Sequence, residues 1–138
     1  QDILKMREKM LDVHPNPTPL FDIKHDRGGI IDVEFIVQYL VLGYASQFPQ
    51  LTGNIGNIAL LKLAGELGLV PAELATQVRT AYREYRRLQH RFRLGGEPEL
   101  TSAPLSKDKS EKFARIAADH LSNDRLSVLQ LWDAVFRL

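Results

Sequence analysis

Apolar residues recur along most of this chain at the spacing of a helix with one buried face. Between residues 3 and 13 they follow the i, i+3, i+4, i+7 pattern; the positions are Ile3, Leu4, Met6, Met10, Leu11 and Val13. The same periodicity predicts helices at about 58–67, 72–94, 110–121 and 124–136. From residue 29 or 30 to about residue 48 the chain is apolar nearly all round, which is typical of a helix enclosed by others. We expect that segment at the centre of the core.

Turn-forming residues separate these predicted helices. Three prolines follow the first helix, Gly68 lies where a helix C-terminus favours glycine, and Gly95-Gly96 ends the 72–94 helix before a polar loop. The short FDIK segment at 21–24 alternates in polarity between turn residues, so we predict that it is extended. A lone strand leaves its edges unpaired, and we expect its partner in polypeptide outside this chain. The predicted fold is all-α, a bundle of about five to six helices in a single domain over residues 1–138.

Composition excludes several functional classes. With 44% apolar and 25% charged residues the chain has the balance of a globular protein, and its net charge of +1 offers no overall field for a polyanion. We therefore expect no nucleic-acid partner. The absence of cysteine excludes disulfides, thiolate zinc sites and a cysteine nucleophile, and it fits a cytoplasmic location.

The ends and the most apolar segment of the chain carry two further expectations. Residue 1 is Gln rather than Met, and the opening residues lack the layout of a signal peptide, so we expect a piece of a longer polypeptide. The most apolar run, residues 35–45, is about half of the roughly 20 residues that a membrane-spanning helix needs. We therefore expect a buried helix there and no membrane partner.

The stretch FDIKHDRGGIIDVEF at 21–35 concentrates the candidate chemistry, and two interpretations of it stand side by side. In the first, Gly28-Gly29 is a turn, Asp32 lies in a first helical turn that favours carboxylates, and Lys24 and Arg27 are solvated. In the second, the two glycines let backbone amides approach a ligand at a helix N-terminus while Lys24 and Arg27 add charge. The second interpretation predicts an anion or phosphate site.

Asp32 and Glu34 invite a different hypothesis, that of a catalytic metal pair. On a strand, carboxylates two residues apart point the same way, but on a helix they lie about 200° apart around the axis and cannot share one metal ion. The apolar run that follows favours a helix, so we predict no metal site here. Asp32 and Glu34 are instead expected to bind Lys24 or Arg27, or to cap nearby backbone, because buried carboxylates need partners.

The 72–94 helix carries a run of arginines, of which Arg79, Arg83, Arg86 and Arg87 share one face at i, i+3, i+4 spacing. A solvated helix face is the ordinary explanation of such a run. The alternative is a surface that contacts phosphates or an acidic protein partner, and Glu84 within the run weakens its charge.

Several motifs together resemble one family. The stretch FDIKHDRGGIIDVEFIVQYLVL closely resembles the F-D-[LI]-K-x-x-x-G-G-[IL]-x-D-[IV]-E-F-x-[VT]-Q motif of the bifunctional glutamine synthetase adenylyltransferases. The segments ILKMREKM, NIGNIALLKLAGELGLV and AYREYRRLQHRFRL resemble further segments of that family, in the same order. The resemblance therefore covers nearly the whole chain.

The resemblance implies a domain of a larger enzyme. Family members have two halves, each a nucleotidyltransferase head followed by a helical domain, and one half adds AMP to glutamine synthetase while the other removes it. The sequence Gln89-His90-Arg91-Phe92-Arg93 and the ending FRL favour the C-terminal, adenylylating half. The alternatives are the deadenylylating half and the equivalent domain of a PII uridylyltransferase, which is the weaker match. The expected partner of the FDIK strand is then the missing head.

The resemblance also implies ligands and roles. ATP and Mg²⁺ are the expected cofactors, with the metal ligands in the head, and glutamine synthetase, the PII signal protein and the effector glutamine are the expected partners. This chain lacks the G-S-x-x-D-x-D motif of such heads, so we expect it to be inactive alone and to hold no metal. Carried over by residue, Lys24, Arg27, Gly28 and Gly29 would face the nucleotide phosphates, and Asp32 and Glu34 would hold their loop. A competing hypothesis is a regulatory helical module that responds to glutamine or PII without touching nucleotide.

Overall fold

Five α-helices and one short pair of strands make up the part of the chain that the computed structural model describes, which is residues 2–13, 15–53, 56–93, 115–116 and 121–136. The predicted all-α class is confirmed. In chain order the elements are α1 (Asp2–Val13), β1 (Phe21–Asp22), α2 (Ile30–Tyr44), a 3₁₀ turn (Pro49–Thr52), α3 (Asn57–Glu66), α4 (Ala72–Arg93), β2 (Arg115–Ile116) and α5 (Ser122–Phe136).

The turn between α3 and α4 shows how the sequence ends a helix. Gly68 has a positive φ of 76°, which glycine adopts without the strain that a side chain would bring. The Leu69 amide then donates to the Ala64 carbonyl at 2.9 Å, and the Gly68 amide donates to the Gly65 carbonyl at 3.2 Å. These two bonds form a Schellman motif, so the predicted C-terminal role of Gly68 is confirmed.

The core lies where α2, α3, α4 and α5 meet, and α4 packs along both α3 and α5. The inward face of α2 supplies Ile30, Val33, Ile36, Val37 and Leu40, which are all buried. The opposite face of its C-terminal half is open, since Leu42 is 76% exposed. The expectation of a helix at the centre of the core therefore holds for one face of α2, while the other face reaches the surface.

The strand prediction needs a correction. Phe21 and Asp22 do form a strand, but it pairs antiparallel with β2 of the same chain, with Phe21 opposite Ile116 and Asp22 opposite Arg115. The expectation that the partner of this strand lies outside the chain is therefore wrong, while pairing of its other edge with a head stays a prediction. The predicted helix at 110–121 is also wrong at residues 115–116, and its other residues apart from Leu121 lie outside the described part, as does the whole of the predicted loop at 95–108.

None of the helices in the described ranges has both the length and the apolar character needed to span a bilayer.

Candidate functional site

The candidate site is the turn that joins β1 to α2, residues 23–29, and its backbone groups form hydrogen bonds with one another and with the neighbouring residues of the chain. The Asp26 amide donates to the Asp22 carbonyl at 3.0 Å, and the Gly29 amide donates to the Asp26 carbonyl at 3.0 Å. The first amides of α2 bond in the same manner, Ile30 to the Ile23 carbonyl at 2.7 Å and Ile31 to the Lys24 carbonyl at 3.1 Å. The amides of Gly29, Ile30 and Ile31, which are usually free at a helix N-terminus, are therefore already satisfied here.

The two glycines permit this close packing. Gly28 has a φ of +85°, and a Cβ at that residue would lie 2.5 Å from Cγ of Arg125. A Cβ on Gly29 would lie 2.2 Å from the Ile23 carbonyl oxygen, which is far inside contact distance. Both residues are buried. The chain needs glycine at these positions to fold the turn against its own backbone.

The carboxylate of Asp32, on α2, binds the turn through hydrogen bonds. Its Oδ1 accepts a 2.5 Å hydrogen bond from Nε of Arg7, and its Oδ2 accepts from Nε of Arg27 at 3.0 Å and from the Gly28 amide at 2.7 Å. Arg7 is only 2% exposed, and its Nη2 also donates to the His25 carbonyl at 2.7 Å. Asp32 thus joins α1, the turn and α2 through charge-assisted hydrogen bonds.

Arg27 is held on several sides and remains partly open to solvent. Its guanidinium carbon lies 4.6 Å from the ring centroid of Trp132 on α5, within the range of a cation–π contact. Its carbonyl accepts a 2.9 Å hydrogen bond from Nε of Arg125. The Arg27 side chain is 40% exposed, and among the described residues its two terminal nitrogens have no hydrogen-bond partner.

Tyr85 of α4 binds a backbone carbonyl group of the same turn. Its hydroxyl donates to the Gly28 carbonyl at 2.8 Å, and its ring meets that of Phe21 edge-on at a centroid distance of 5.9 Å. Burial, with the nearby charge of Asp124, raises the pKa of Tyr85 well above its ordinary value. The phenol therefore stays protonated and can keep donating.

Asp22 and His25 form a second polar pair inside the turn. The Asp22 carboxylate accepts from the Lys24 and His25 amides, each at 3.0 Å, and lies 3.2 Å from Nδ1 of His25. Burial is the largest single influence on the pKa of Asp22 and raises it, but the hydrogen bonds and charge of His25, with the Lys24 amide, together outweigh burial and lower that pKa below its ordinary value. The carboxylate is thus ionised throughout the neutral range.

The structure places the residues predicted from the sequence in different surroundings. Asp32 lies under the turn and binds Arg27, whereas Glu34 is half-buried and has no hydrogen bond or ion pair to the described residues. Lys24 is exposed, and within the described ranges its ammonium has no partner. Nucleotide contact at Lys24, Arg27, Gly28 and Gly29 remains a prediction. The Gly28 and Gly29 amides are already hydrogen-bonded within the chain, whereas the Lys24 and Arg27 side chains keep free donors among the described residues.

The arginines of α4 are less uniform than their spacing suggests. Arg83, Arg86 and Arg87 are exposed, Arg86 donates to Gln89 at 3.1 Å, and Arg87 pairs with Glu84 at 2.5 Å. Arg79 is half-buried, and its Nε is a buried donor that finds no partner among the described residues. A role for this face in partner binding stays a prediction.

Sequence reasoning missed four residues that shape the site, namely Arg7, Tyr85, Arg125 and Trp132. Only Arg7 gave a usable signal, because it lies within the apolar face formed by Leu4 and Leu11, where a charge needs a buried partner. The other three reach the turn from α4 and α5, and no local pattern in the sequence links them to it.

Two further features of the described residues bear on ligands. A groove of about 430 Å³ lies between α4 and α5, and none of the predicted site residues lines it; its walls are Thr76, Gln77, Thr80, Asn123, Asp124, Leu126, Ser127 and Gln130. Within the described ranges no three His, Asp or Glu side chains are grouped so as to hold a metal ion.

Comparison with known proteins gives consistent matches. A protein-family model described as GlnD PII-uridylyltransferase matches residues 5–137. The bifunctional glutamine synthetase adenylyltransferase/adenylyl-removing enzyme of Nitrosomonas europaea is 70% identical over 136 residues, covering 99% of this chain and 15% of that protein. The proteins of that name from Nitrosomonas eutropha and Aromatoleum aromaticum are 67% and 49% identical over 136 and 135 residues, covering 99% and 98% of this chain and 15% and 13% of those proteins. This chain thus spans only 13–15% of the length of these relatives.

Proposed function

Because this chain belongs to the protein family described as GlnD PII-uridylyltransferase, we propose that it is a helical domain that works beside the catalytic head of a nucleotidyltransferase. The relatives named glutamine synthetase adenylyltransferases, at 49–70% identity, confirm the resemblance inferred from the sequence motifs. The head itself, a cytoplasmic location and the partners named below are parts of the proposal.

The transferred group and the acceptor protein follow from the relatives. Those compared here are named glutamine synthetase adenylyltransferases, and the match with the first covers 99% of this chain at 70% identity. We therefore assign the chain to an enzyme that transfers AMP from ATP to a tyrosine of glutamine synthetase, in preference to one that transfers UMP to PII. Glutamine and PII are proposed as effectors through the family resemblance alone.

The role of this chain in that reaction is to form one wall of the nucleotide cleft. The observation that carries this role is the turn at residues 23–29, where a buried carboxylate and a tyrosine fix the backbone while the Lys24 and Arg27 side chains remain partly or fully exposed. Cations on a rigid turn can stabilise charge on phosphate oxygens without rearranging during the reaction. The described residues supply no set of magnesium ligands, so the proposal places the metal in the head.

The proposed chemistry is in-line displacement at the α-phosphorus of ATP. The tyrosine oxygen forms the new bond to phosphorus, the bond to the bridging oxygen of the β-phosphate breaks, and pyrophosphate leaves. The tyrosine proton passes to a base outside this chain. Lys24 and Arg27 would act only on the charge of the phosphate oxygens.

The test uses the intact protein that carries this chain. Lys24→Ala and Arg27→Gln should each lower the rate of AMP transfer to glutamine synthetase at saturating ATP, by up to about 100-fold if the contact strengthens in the transition state. Lys62→Gln, at an exposed lysine on α3 that belongs to neither the turn nor the arginine-bearing face of α4, is the matched control and should leave the rate unchanged.

Two results would argue against a cleft role. If both variants transfer AMP at the normal rate but respond differently to glutamine or PII, the domain is the regulatory module of the competing hypothesis. If the intact protein transfers no AMP to glutamine synthetase at all, the assignment of the reaction is wrong.

A further inference from the structure

We propose that Arg27 is a pre-positioned binding fork for a phosphoryl group, and that Trp132 and Asp32 are the positioning residues that aim it. This inference rests on the proposed function and deepens it, because it names the atoms that would contact the nucleotide. The Arg27 side chain, rather than the backbone amides of Gly28 and Gly29, would then contact the phosphoryl group, because those amides are hydrogen-bonded within the turn.

The charge of Arg27 is not fully compensated. Arg27 and Arg7 share the single carboxylate of Asp32, at 3.0 Å and 2.5 Å. Arg7 is fully enclosed and therefore depends on that carboxylate as its counter-charge, whereas Arg27 reaches solvent. Arg7, Arg27 and Asp32 together carry a net charge of +1, and of the two arginines it is Arg27 that is open to a ligand.

Nearby acidic residues are occupied elsewhere. Oδ2 of Asp26 accepts from Nδ2 of Asn16 at 2.9 Å and from the Asp22 amide at 3.0 Å. Asp22 itself is bound to His25 and to backbone amides of the turn. None of these carboxylates is hydrogen-bonded to Arg27 within the described residues, so Arg27 keeps free donors.

The geometry of the guanidinium is fixed before any ligand arrives. Asp32 binds its Nε, and the ring of Trp132 holds its plane at 4.6 Å. This leaves Nη1 and Nη2, which carry four N–H groups and match two oxygens of a phosphoryl group. Since the side chain is already immobilised, binding loses less conformational entropy than it would with a free arginine.

The backbone on both sides of Arg27 is also held. Its carbonyl accepts from Arg125, the next amide donates to Asp32, and the Gly28 carbonyl accepts from Tyr85. Lys24, three residues earlier, is an exposed cation without a partner among the described residues. A second cation on the same turn favours the multiply charged phosphoryl group over a single carboxylate.

The chain contains its own probe for this site. Trp132 is the only tryptophan of the sequence, and it lies against Arg27. Titration of the 138-residue chain with pyrophosphate at constant ionic strength should therefore give a saturable change in tryptophan fluorescence. Arg27→Gln should weaken the apparent affinity by about 10- to 100-fold, the range for hydrogen bonds to a charged group. Arg27→Lys keeps the charge without the fork and should also bind more weakly than the wild type.

The positioning role of Trp132 has a separate readout. In isothermal calorimetry, Trp132→Leu should weaken pyrophosphate binding by about 2- to 5-fold, and Trp132→Phe, which retains an aromatic face, should recover most of that loss. A purely structural role would instead lower the melting temperature of both variants and leave the affinity of the folded fraction equal to that of wild type. That outcome would remove Trp132 from the proposal.

Lys62→Gln, at an exposed lysine on α3, is the control for nonspecific attraction and should bind pyrophosphate as the wild type does. The proposal is overturned if pyrophosphate gives no saturable signal, if chloride at equal ionic strength gives the same signal, or if Arg27→Gln binds as tightly as wild type. These measurements need neither the head nor glutamine synthetase. Binding without AMP transfer in the intact protein would therefore contradict the proposed function alone, and AMP transfer without pyrophosphate binding at Arg27 would contradict this inference alone.

Discussion

Asp32 is the residue on which the candidate site depends most. One carboxylate with no exposed surface compensates the buried charge of Arg7, anchors Arg27 and accepts from the Gly28 amide. A buried ion pair of this kind adds little net stability over an apolar pair, but the loss of one partner leaves the other charged and unsolvated. Substitution of Asp32 should therefore destabilise the chain much more than substitution of its neighbour Glu34.

We expect Asp32→Asn to lower the free energy of unfolding by about 3–5 kcal/mol, the usual range when one member of a buried pair is removed. The physical reason is that Arg7 would remain buried without a counter-charge. Urea unfolding followed by circular dichroism measures this difference. Glu34→Gln is the matched control, because it removes a carboxylate two residues away that forms no ion pair with the described residues. It should change the free energy of unfolding by less than about 0.5 kcal/mol. Equal effects of the two substitutions would contradict the assigned network.

The difference between Asp32 and Glu34 was only partly predictable from the sequence. Their spacing of two on a helix places them on opposite sides, so the sequence does indicate that they cannot both face the turn. It does not tell which one is buried, because that depends on Arg7, which lies 25 residues earlier and belongs to another helix. The internal hydrogen bonds of the Gly28 and Gly29 amides were unpredictable for a related reason, since their acceptors come from the tertiary path of the turn.

The element that presents the site is the strand and turn before α2, and Asp22 sets its pH dependence. The pKa of Asp22 is below its ordinary value in the folded chain, so the ionised form is favoured by folding. A group of this kind contributes stability above the pKa of the unfolded chain, about 3.9, and that contribution is lost as the pH falls through the lower folded pKa. Acid should therefore loosen the turn.

The corresponding prediction compares wild type with Asp22→Asn. The difference in unfolding free energy should be largest near pH 7, stay constant down to about pH 5, and shrink below about pH 4 as the wild-type carboxylate takes up its proton. Chemical unfolding at a series of pH values measures it. Asp12→Asn, at an exposed position on α1, makes the same charge change without a hydrogen bond to the described residues. A difference for Asp22→Asn that grows as the pH falls would show the opposite sign and refute the argument.

Among the secondary-structure elements, the helices could be predicted from the sequence and the strand pairing could not. Periodicity placed α1, α3, α4 and α5 within about two residues at their ends, because one-sided burial imposes a 3.6-residue repeat on the sequence itself. The strand at residues 115–116 carries two residues, too few for any period, and its partner lies more than ninety residues earlier. Such a pair is fixed by the packing of the helices around it, which no local pattern encodes.

The described helices share one apolar core, and this has a consequence for the whole molecule. Leu61 on α3 and Trp132 on α5 belong to the same cluster of buried side chains, although α4 and β2 separate those helices along the chain. If α3 to α5 unfold as one unit, a change at Leu61 must alter the transition seen at Trp132 as much as the loss of helix overall. Separate units would respond separately.

We therefore expect Leu61→Ala to lower the unfolding free energy by about 2–5 kcal/mol, the range for removing a buried leucine side chain. The urea midpoints from far-ultraviolet circular dichroism, which reports all helices, and from Trp132 fluorescence, which reports α5, should fall together. Leu42→Ala is the control on α2, since this leucine is 76% exposed, and it should move neither midpoint by more than the equivalent of about 0.5 kcal/mol. A fluorescence midpoint that stays in place while the dichroism midpoint falls would mean that α3 and α5 unfold independently, because Trp132 would then not sense a cavity opened beside α3.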